Sequence, residues 1–197
     1  MKTKLMGIRG SWEHVYRACL NTIGKEVQGK EPSAEWKRRI LMAEHSPIRK
    51  INVEIKWTQL KYWVSVHLVR HNVGATPFIS TQRDDRTKNT ASRDDAPQSA
   101  PVDMEWDGNL QSMINISRKR LCYLASPETR QAWQEAVDEV AKEIPEMKQV
   151  CVKECVYRGF CPEFYTCGYT TKAKKLFEEE LHAYRQGING YGEEESK

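Results

Sequence analysis

Apolar residues recur every three or four positions in five segments of the chain, which is the spacing of amphipathic helices. The predicted helices begin close to Ser11, Ser33, Asn109, Ser126 and Lys172. Serine is a favoured N-cap at three of these starts, and Pro127 fits the first turn of the fourth helix. We interpret four tryptophans as core residues: Trp12, Trp36, Trp57 and Trp133.

A shorter segment alternates apolar and polar side chains, which is typical of a half-buried strand. Its apolar face consists of Ile51, Val53, Ile55 and Trp57. The apolar stretch 62–71 has no clear period. Its polar members His67 and Arg70 lie three residues apart, which would place both on one face of a helix. Helices, one or two strands and further helices predict an α+β fold, with the helices packed on a small, mostly antiparallel sheet.

The segment 81–107 is polar, contains proline and is nearly free of aliphatic side chains. It is either a linker between domains or a long loop, and long loops inside compact domains are often lids or ligand-binding segments. We predict a single domain over residues 1–186, with 81–107 as an inserted loop and 151–167 as a cysteine-rich segment. Residues 187–197 are predicted to form a disordered tail.

Composition excludes several classes of protein. The 197 residues are 39% hydrophobic and 29% charged, which is the profile of a soluble globular chain. No run approaches the roughly 20 apolar residues of a membrane span, and residues 1–14 lack a signal-peptide core, so we expect a cytoplasmic protein. The 31 Lys and Arg residues are spread along the chain, and the net charge of +4 does not favour nucleic acid as a partner. Neither a P-loop nor a dinucleotide-binding glycine motif is present, which disfavours nucleotide hydrolysis and a Rossmann flavin site.

The six cysteines are unevenly distributed, with four of them in the segment 151–167. In a reducing cytosol such clustering indicates a metal site or free thiols before disulfides. One interpretation is a structural metal, zinc ahead of an iron–sulfur cluster. Its predicted ligands are Cys155, Cys161, Cys167 and Cys122. The other interpretation is that these thiols are buried as small apolar side chains.

The helix that begins at Asn109 carries residues suited to a nucleotide. Arg120 follows Asn109 by eleven residues, so at about 100° per residue both return to nearly the same side of the helix. An amide, the hydroxyl of Ser112 and a guanidinium on one face can bind a nucleotide.

Several segments in the same order resemble the flavin-dependent thymidylate synthase family. They are HSPIR (45–49), VRH (69–71), Ser80 and NLQSMINISRKRLCYLASPETR (109–130). The last segment matches the family pattern without a gap at Asn109, Ser112, Asn115, Arg120, Leu121, Ala125, Glu128 and Arg130. The resemblance extends over residues 40–147.

The family's signature motif is only partly kept. Arg70, His71 and Ser80 match it, and Arg83 stands one residue later than the motif's final arginine. The positions that depart from the motif are Asn72, Ala75, Pro77, Phe78 and Gln82. The chain therefore resembles a divergent member of the family.

The resemblance implies reductive methylation of dUMP at C5 to give dTMP in a homotetramer. Methylenetetrahydrofolate would supply the carbon, reduced FAD the hydride, and a reduced pyridine nucleotide the electrons. The implied flavin-binding residues are Arg70, His71, Asn109 and Asn115. The implied substrate-binding residues are Ser80, Gln82, Arg83 and Arg120. Arg120 is also the candidate catalytic residue, because a guanidinium beside a pyrimidine carbonyl stabilises the charge that develops there.

Three alternatives stay open. A divergent relative would alkylate or hydroxymethylate another pyrimidine nucleotide. A non-catalytic, metal-stabilised module would bind nucleotide or nucleic acid, although the loop 81–107 carries Asp as well as Arg, so strong salt-dependent DNA binding is not expected. Finally, Arg120 would be structural if it paired with Glu128 or capped a neighbouring helix.

Overall fold

The structure is a computed structural model that describes residues 1–26, 31–86 and 92–189, with side chains as far as 186. Its described residues form one antiparallel sheet in which the order of strands is β1-β2-β4-β3. The strands are β1 (Lys2–Arg9), β2 (Asn52–Lys61), β3 (Ala75–Ile79) and β4 (Pro101–Asn109). The longest pairings join β2 to β1 and β4, which places β2 and β4 at the centre of the sheet.

The helices of the described residues precede, interrupt and follow this sheet. They are α1 (Trp12–Asn21), α2 (Ala34–Met42), α3 (Tyr62–Leu68), α4 (Leu110–Arg120), α5 (Pro127–Ala141), α6 (Met147–Val150), α7 (Glu154–Arg158), α8 (Tyr169–Lys172) and α9 (Lys174–Asn189). Two short 3-10 helices span Ser46–Lys50 and Arg93–Asp95. The predicted N-caps Ser11, Ser33 and Ser126 are confirmed, because each serine side chain accepts a hydrogen bond from a backbone amide three residues later.

Three tryptophans form the centre of the core, where β2, β4 and α5 meet. The ring of Trp57 stacks on Trp133 at 6.3 Å, and Trp106 meets Trp133 edge-on at 5.5 Å. The indole of Trp57 donates to the carbonyl of Ala132, and that of Trp133 donates to Oγ of Ser117. Buried indoles with satisfied N–H groups fix the orientation of the helices on the sheet. The predicted α+β class, with helices on a small antiparallel sheet, is confirmed.

The prediction of one or two strands is wrong. Residues 101–107 of the predicted loop belong to β4, a central strand that alternates buried Val102, Met104 and Trp106 with acidic side chains. A half-buried strand tolerates charges on its outer face, and those charges resembled loop composition. Strand β1 is an edge strand with an irregularity between Leu5 and Gly7, so its apolar alternation is weak.

The C-terminal part of the described chain forms a second apolar cluster next to the main core. Its buried members are Cys155, Val156, Tyr169, Phe177 and Tyr184. Helix α9 continues through Asn189, so residues 187–189 of the predicted tail are helical, and 190–197 lie outside the described residues. Among the helices that the structure describes, none has the length and apolar character needed to cross a membrane.

Candidate functional site

The strand β4 runs directly into α4, and Asn109 is both the last residue of the strand and the N-cap of the helix. Its Oδ1 accepts from the backbone amide of Ser112 at 2.9 Å. The hydroxyl of Ser112 donates to the carbonyl of Val73 at 2.7 Å, and the backbone N–H of Asn109 donates to the carbonyl of Gly74 at 3.1 Å. These bonds fix the turn 72–74, which connects α3 to β3, against the start of α4.

Gly74 is required by this close approach. Its φ is +70°, in the left-handed region that side chains other than glycine rarely adopt. A Cβ at this position would lie 2.5 Å from Oγ of Ser112 and 2.7 Å from Nδ2 of Asn109. The turn can therefore contact the N-terminal end of α4 only because residue 74 has no side chain.

The end of α4 contacts the end of α3 through Arg120. Its Nε–H donates to Nε2 of His71 at 2.8 Å, and its Nη2 donates to the carbonyl oxygen of His67 at 2.7 Å. Because arginine only donates, Nε2 of His71 must accept, and the imidazole proton lies on Nδ1. Burial, with a smaller contribution from Arg120, lowers the pKa of His71 to about 4. His71 is therefore neutral at pH 7.

The charge around Arg120 is uncompensated. Burial lowers the pKa of the half-buried Arg120 guanidinium, and the nearby charge of Arg70 lowers it further. Within the ranges that the structure describes, neither arginine forms an ion pair with a carboxylate. Glu128, the alternative partner, instead accepts from Nζ of Lys61 at 3.0 Å. Two neighbouring guanidinium groups without a counter-ion favour binding of an anion.

Helix α3 is held in place by the first turn of α5. Nδ1 of His67 lies 3.2 Å from the hydroxyl of Thr129, which also accepts from Ser126 at 2.8 Å. The position of the His67 carbonyl, and hence of Arg120, depends on this contact. The sequence indicated His67 only as a polar position on a helix, and no sequence signal identified its carbonyl as the acceptor for Arg120.

Asn115 lies apart from the other predicted flavin-binding residues. It follows Asn109 by six residues, which corresponds to about 120° around the helix. Its Oδ1 accepts from Gln111 at 3.2 Å and from Arg118 at 3.4 Å. Gln111 also donates to Glu44 at 2.6 Å, and Arg118 pairs with the same carboxylate. Asn115 thus belongs to a network around Glu44 that the sequence analysis did not identify.

The predicted substrate residues Ser80, Gln82 and Arg83 lie beyond the far end of β3. The backbone N–H of Ser80 donates to the carbonyl of Asp103 at 2.8 Å, and the Ser80 hydroxyl accepts from the backbone N–H of Asp103 at 2.9 Å. Ala75 and Ser80 are five residues apart on an extended segment, which corresponds to about 16 Å at ~3.3 Å per residue. Ser80 and Gln82 line a cavity of about 430 Å³, and Arg83 pairs with Asp85. Arg120 has different partners, His71 and the carbonyl of His67.

The predicted metal ligands are free thiols in the described structure. Among the residues described, no three His, Cys, Asp or Glu side chains already have an arrangement that holds a metal ion. Cys151, from the same cysteine-rich segment, is not one of the predicted ligands and has a different environment. It is buried in the main core, and burial raises its pKa to about 12.

The fold belongs to the class found in flavin-dependent thymidylate synthases. The structure of the flavin-dependent thymidylate synthase from Helicobacter pylori, complexed with FAD and dUMP, matches with a TM-score of 0.63 and 13% identity, covering 78% of this chain and 100% of that chain. A second structure of that enzyme with FAD and dUMP matches with a TM-score of 0.61 and 12% identity, at the same coverage.

A third similar structure is that of the UMP/dUMP methylase PolB from Streptomyces cacaoi, bound with 5-Br dUMP. It has a TM-score of 0.60 and 13% identity, and the match covers 81% of this chain and 95% of that chain. No family model matches the sequence, and no curated protein matches it. The likeness in structure confirms the fold expected from the resemblance at 40–147.

Proposed function

We propose that this chain is a flavin-dependent enzyme of the thymidylate synthase family that methylates a pyrimidine nucleotide at C5. The observation that carries the proposal is the pair Arg70 and Arg120 without a carboxylate partner, next to the neutral His71. The fold supports it, because the similar structures from Helicobacter pylori hold FAD and dUMP. The named reaction is conversion of dUMP to dTMP.

The donors at the two ends of α4 and next to α3 have the chemistry that FAD requires. FAD carries a diphosphate and ring carbonyls, and the residues that would hold it are Arg70, His71 through Nδ1–H, and Asn109 through Nδ2. Oδ1 of Asn109 is engaged in the helix cap, which leaves its amide nitrogen for a ligand. Bound, reduced FAD would supply the hydride, and methylenetetrahydrofolate would supply the carbon. A reduced pyridine nucleotide would be the source of electrons for FAD.

Arg120 is the residue that we propose acts on the substrate. When C5 of the pyrimidine acts as a nucleophile, negative charge develops on a ring carbonyl oxygen. A guanidinium whose Nε and Nη2 are already fixed by His71 and His67 donates its remaining N–H groups to that oxygen without reorganising. The half-buried position strengthens this interaction, because less water screens it.

We further propose that the active form is a homotetramer in which two chains complete each site. The family resemblance motivates this proposal, and the contacts of the predicted substrate residues support it. Ser80 pairs with Asp103 of β4, whereas Arg120 contacts His67 and His71. Asn115 lies about 120° around α4 from Asn109 and belongs to the network around Glu44. Mixing the weakly active Arg120→Lys and Ser80→Ala proteins should then raise activity above that of either variant alone through mixed assemblies, whereas sites within one chain would give no recovery.

A different pyrimidine nucleotide is the second candidate substrate. β3 carries Pro77 and Phe78 where the family motif has polar residues, and the Phe78 side chain is 60% exposed. A protein of the same fold is a UMP/dUMP methylase, which supports testing a ribonucleotide. Turnover of UMP in preference to dUMP would favour this candidate.

The decisive experiment combines binding and turnover on the purified full chain. FAD is added and its absorbance is recorded with and without dUMP or UMP. Release of tritium from C5-labelled nucleotide is then measured with methylenetetrahydrofolate and reduced pyridine nucleotide. Flavin binding with tritium release is the expected result. A folded protein that binds nucleotide but neither flavin nor folate would instead support the non-catalytic binding module.

A further inference from the structure

Four of the six cysteines lie on separate parts of the chain whose neighbouring residues meet near the end of α4. We call them the thiol cluster: Cys122, Cys155, Cys161 and Cys167. Cys122 follows α4, Cys155 lies in α7, and the other two lie in the segment 159–168 between α7 and α8. All four are free thiols.

Contacts of neighbouring residues hold these parts of the chain against one another. Lys119, in the last turn of α4, pairs with Glu163 at 3.0 Å and approaches Glu154 at 4.0 Å. The ring of Tyr123 packs on that of Tyr169 with centroids 4.9 Å apart. Every member of the thiol cluster therefore has a residue within two positions along the chain that is fixed to another of these segments.

Packing also brings members of the thiol cluster together. Cys155 is a buried member of the C-terminal apolar cluster, and Cys161 packs against the same cluster. Cys122 directly precedes Tyr123, and Cys167 stands two residues before Tyr169, so the contact between the two tyrosine rings brings the parts of the chain that carry these cysteines together.

The segment 159–168 has little apolar anchoring of its own. The side chains of Phe160, Phe164 and Tyr165 are 57%, 92% and 77% exposed. Cys161 is the residue of this segment that packs, partly buried, against the C-terminal apolar cluster. Ordering a non-helical segment costs conformational entropy, and without apolar anchors burial does not offset that cost. A metal ion that cross-links the segment can offset it instead.

We propose that the thiol cluster binds a single structural zinc ion and thereby fixes the segment 159–168 against the end of α4. Four sulfur ligands are a common set for structural zinc, which is bound tetrahedrally at about 2.3 Å from each sulfur. Because no three potential ligands among the described residues already have that geometry, the side chains must rotate as zinc binds. The thiols release their protons to solvent as zinc binds.

Zinc content of the full chain, purified without chelators, tests the proposal. We expect about one zinc ion per chain, released by a thiol-specific mercurial reagent. Cys161→Ser and Cys167→Ser, both in the segment 159–168, should each weaken zinc binding by at least ~10-fold. Cys19→Ser is the matched control, because Cys19 lies on α1, and this variant should keep its zinc.

Two measurements on the wild-type chain keep the test independent of how the variants fold. Replacement by cobalt should give the visible absorption of a tetrahedral thiolate site. Removal of zinc should increase hydrogen exchange in 159–168 while leaving β2 and β4 protected. A zinc-free folded protein, or equal zinc in all three variants, would overturn the proposal. A brown protein with stoichiometric iron and sulfide would overturn zinc in favour of an iron–sulfur cluster.

Discussion

Arg120 donates its Nε–H to Nε2 of His71 across 2.8 Å, and this bond joins the end of α4 to the end of α3. The bond couples Arg120, which we expect to contact the substrate, to His71, which we expect to contact the flavin. The guanidinium plane is fixed by the second bond to the His67 carbonyl. The imidazole is fixed as the neutral tautomer with a proton on Nδ1. The remaining donors of both side chains are thus oriented before any ligand binds.

Arg120→Lys should lower turnover while leaving the protein folded. A lysine ammonium keeps the charge but cannot donate to His71, to the His67 carbonyl and to a substrate oxygen in the planar arrangement of the guanidinium. We expect at least a tenfold lower kcat, or about 1.4 kcal/mol of lost transition-state stabilisation, with FAD still bound. The measurements are steady-state turnover and flavin absorbance.

Arg118→Lys is the control for that substitution, because Arg118 lies on the same helix and pairs with Glu44. Its guanidinium also covers the ring of Tyr157 at 3.6 Å, so the control should lower the melting temperature more than it lowers turnover. If Arg120→Lys behaves in this way instead, with full activity and lower stability, then Arg120 is a structural residue and its assignment is wrong.

The neutral state of His71 predicts a specific dependence of stability on pH. Its folded-state pKa is about 4, whereas an unfolded histidine titrates near 6.5. Between these values the unfolded chain binds a proton that the folded chain does not, so the free energy of unfolding falls as pH falls through this window. Urea unfolding at several pH values should show a smaller loss in His71→Gln than in the wild type.

Comparison with His71→Gln removes the contribution of the carboxylates, which titrate in the lower part of the same range in both proteins. The imidazole resonances of His71 offer a direct check by NMR. A measured pKa near the ordinary histidine value would contradict the burial and the Arg120 contact described for this residue.

Much of the fold could be predicted from local sequence signals. The helices that begin after Ser11, Ser33 and Ser126 have side-chain caps, and a cap acts within three residues of its own position. The strand β4 could not be predicted in this way. Its buried residues alternate with Asp103, Glu105 and Asp107, and only the neighbouring strand β2 reveals that the apolar face is at the centre of the sheet.

The candidate site could be predicted in part. The resemblance identified Arg70, His71 and Arg120 as candidates. Their contact depends on the position of α3 between β2 and β3, and that position cannot be derived from the spacing of residues in the sequence. Helical arithmetic predicts that Asn109 and Arg120 lie on one side of α4. The same arithmetic, applied to Asn115, would have placed it on another side of the helix, where Glu44 lies.

We propose two roles for Asn109, capping of α4 and binding of FAD, and two substitutions can separate them. Asn109→Ala removes the N-cap of α4 and should destabilise the protein by about 1 kcal/mol. Asn109→Ser keeps a capping oxygen but removes Nδ2, so it should retain most of the stability and bind FAD more weakly. Chemical unfolding and FAD titration measure the two effects. Normal FAD affinity in Asn109→Ser would assign this residue to the helix cap alone.

The turn at Gly74 gives a prediction with a closely matched control. Gly74 and Gly24 have nearly equal φ values of +70° and +68°, so alanine at either position has a similar backbone cost of about 1 kcal/mol. A Cβ at Gly24 would meet nothing within 4 Å, whereas one at Gly74 would meet Ser112 and Asn109 within 2.7 Å. Gly74→Ala should therefore cost about 2–3 kcal/mol in all.

The steric part of the destabilisation by Gly74→Ala disturbs the contacts that fix the turn 72–74 against α4. Gly74→Ala should therefore also weaken FAD binding, whereas Gly24→Ala should not. Urea unfolding and flavin titration of the two variants give both quantities. Equal destabilisation by the two substitutions would mean that the turn moves freely away from α4. In that case the close approach of Gly74 to Ser112 would not organise the proposed flavin site.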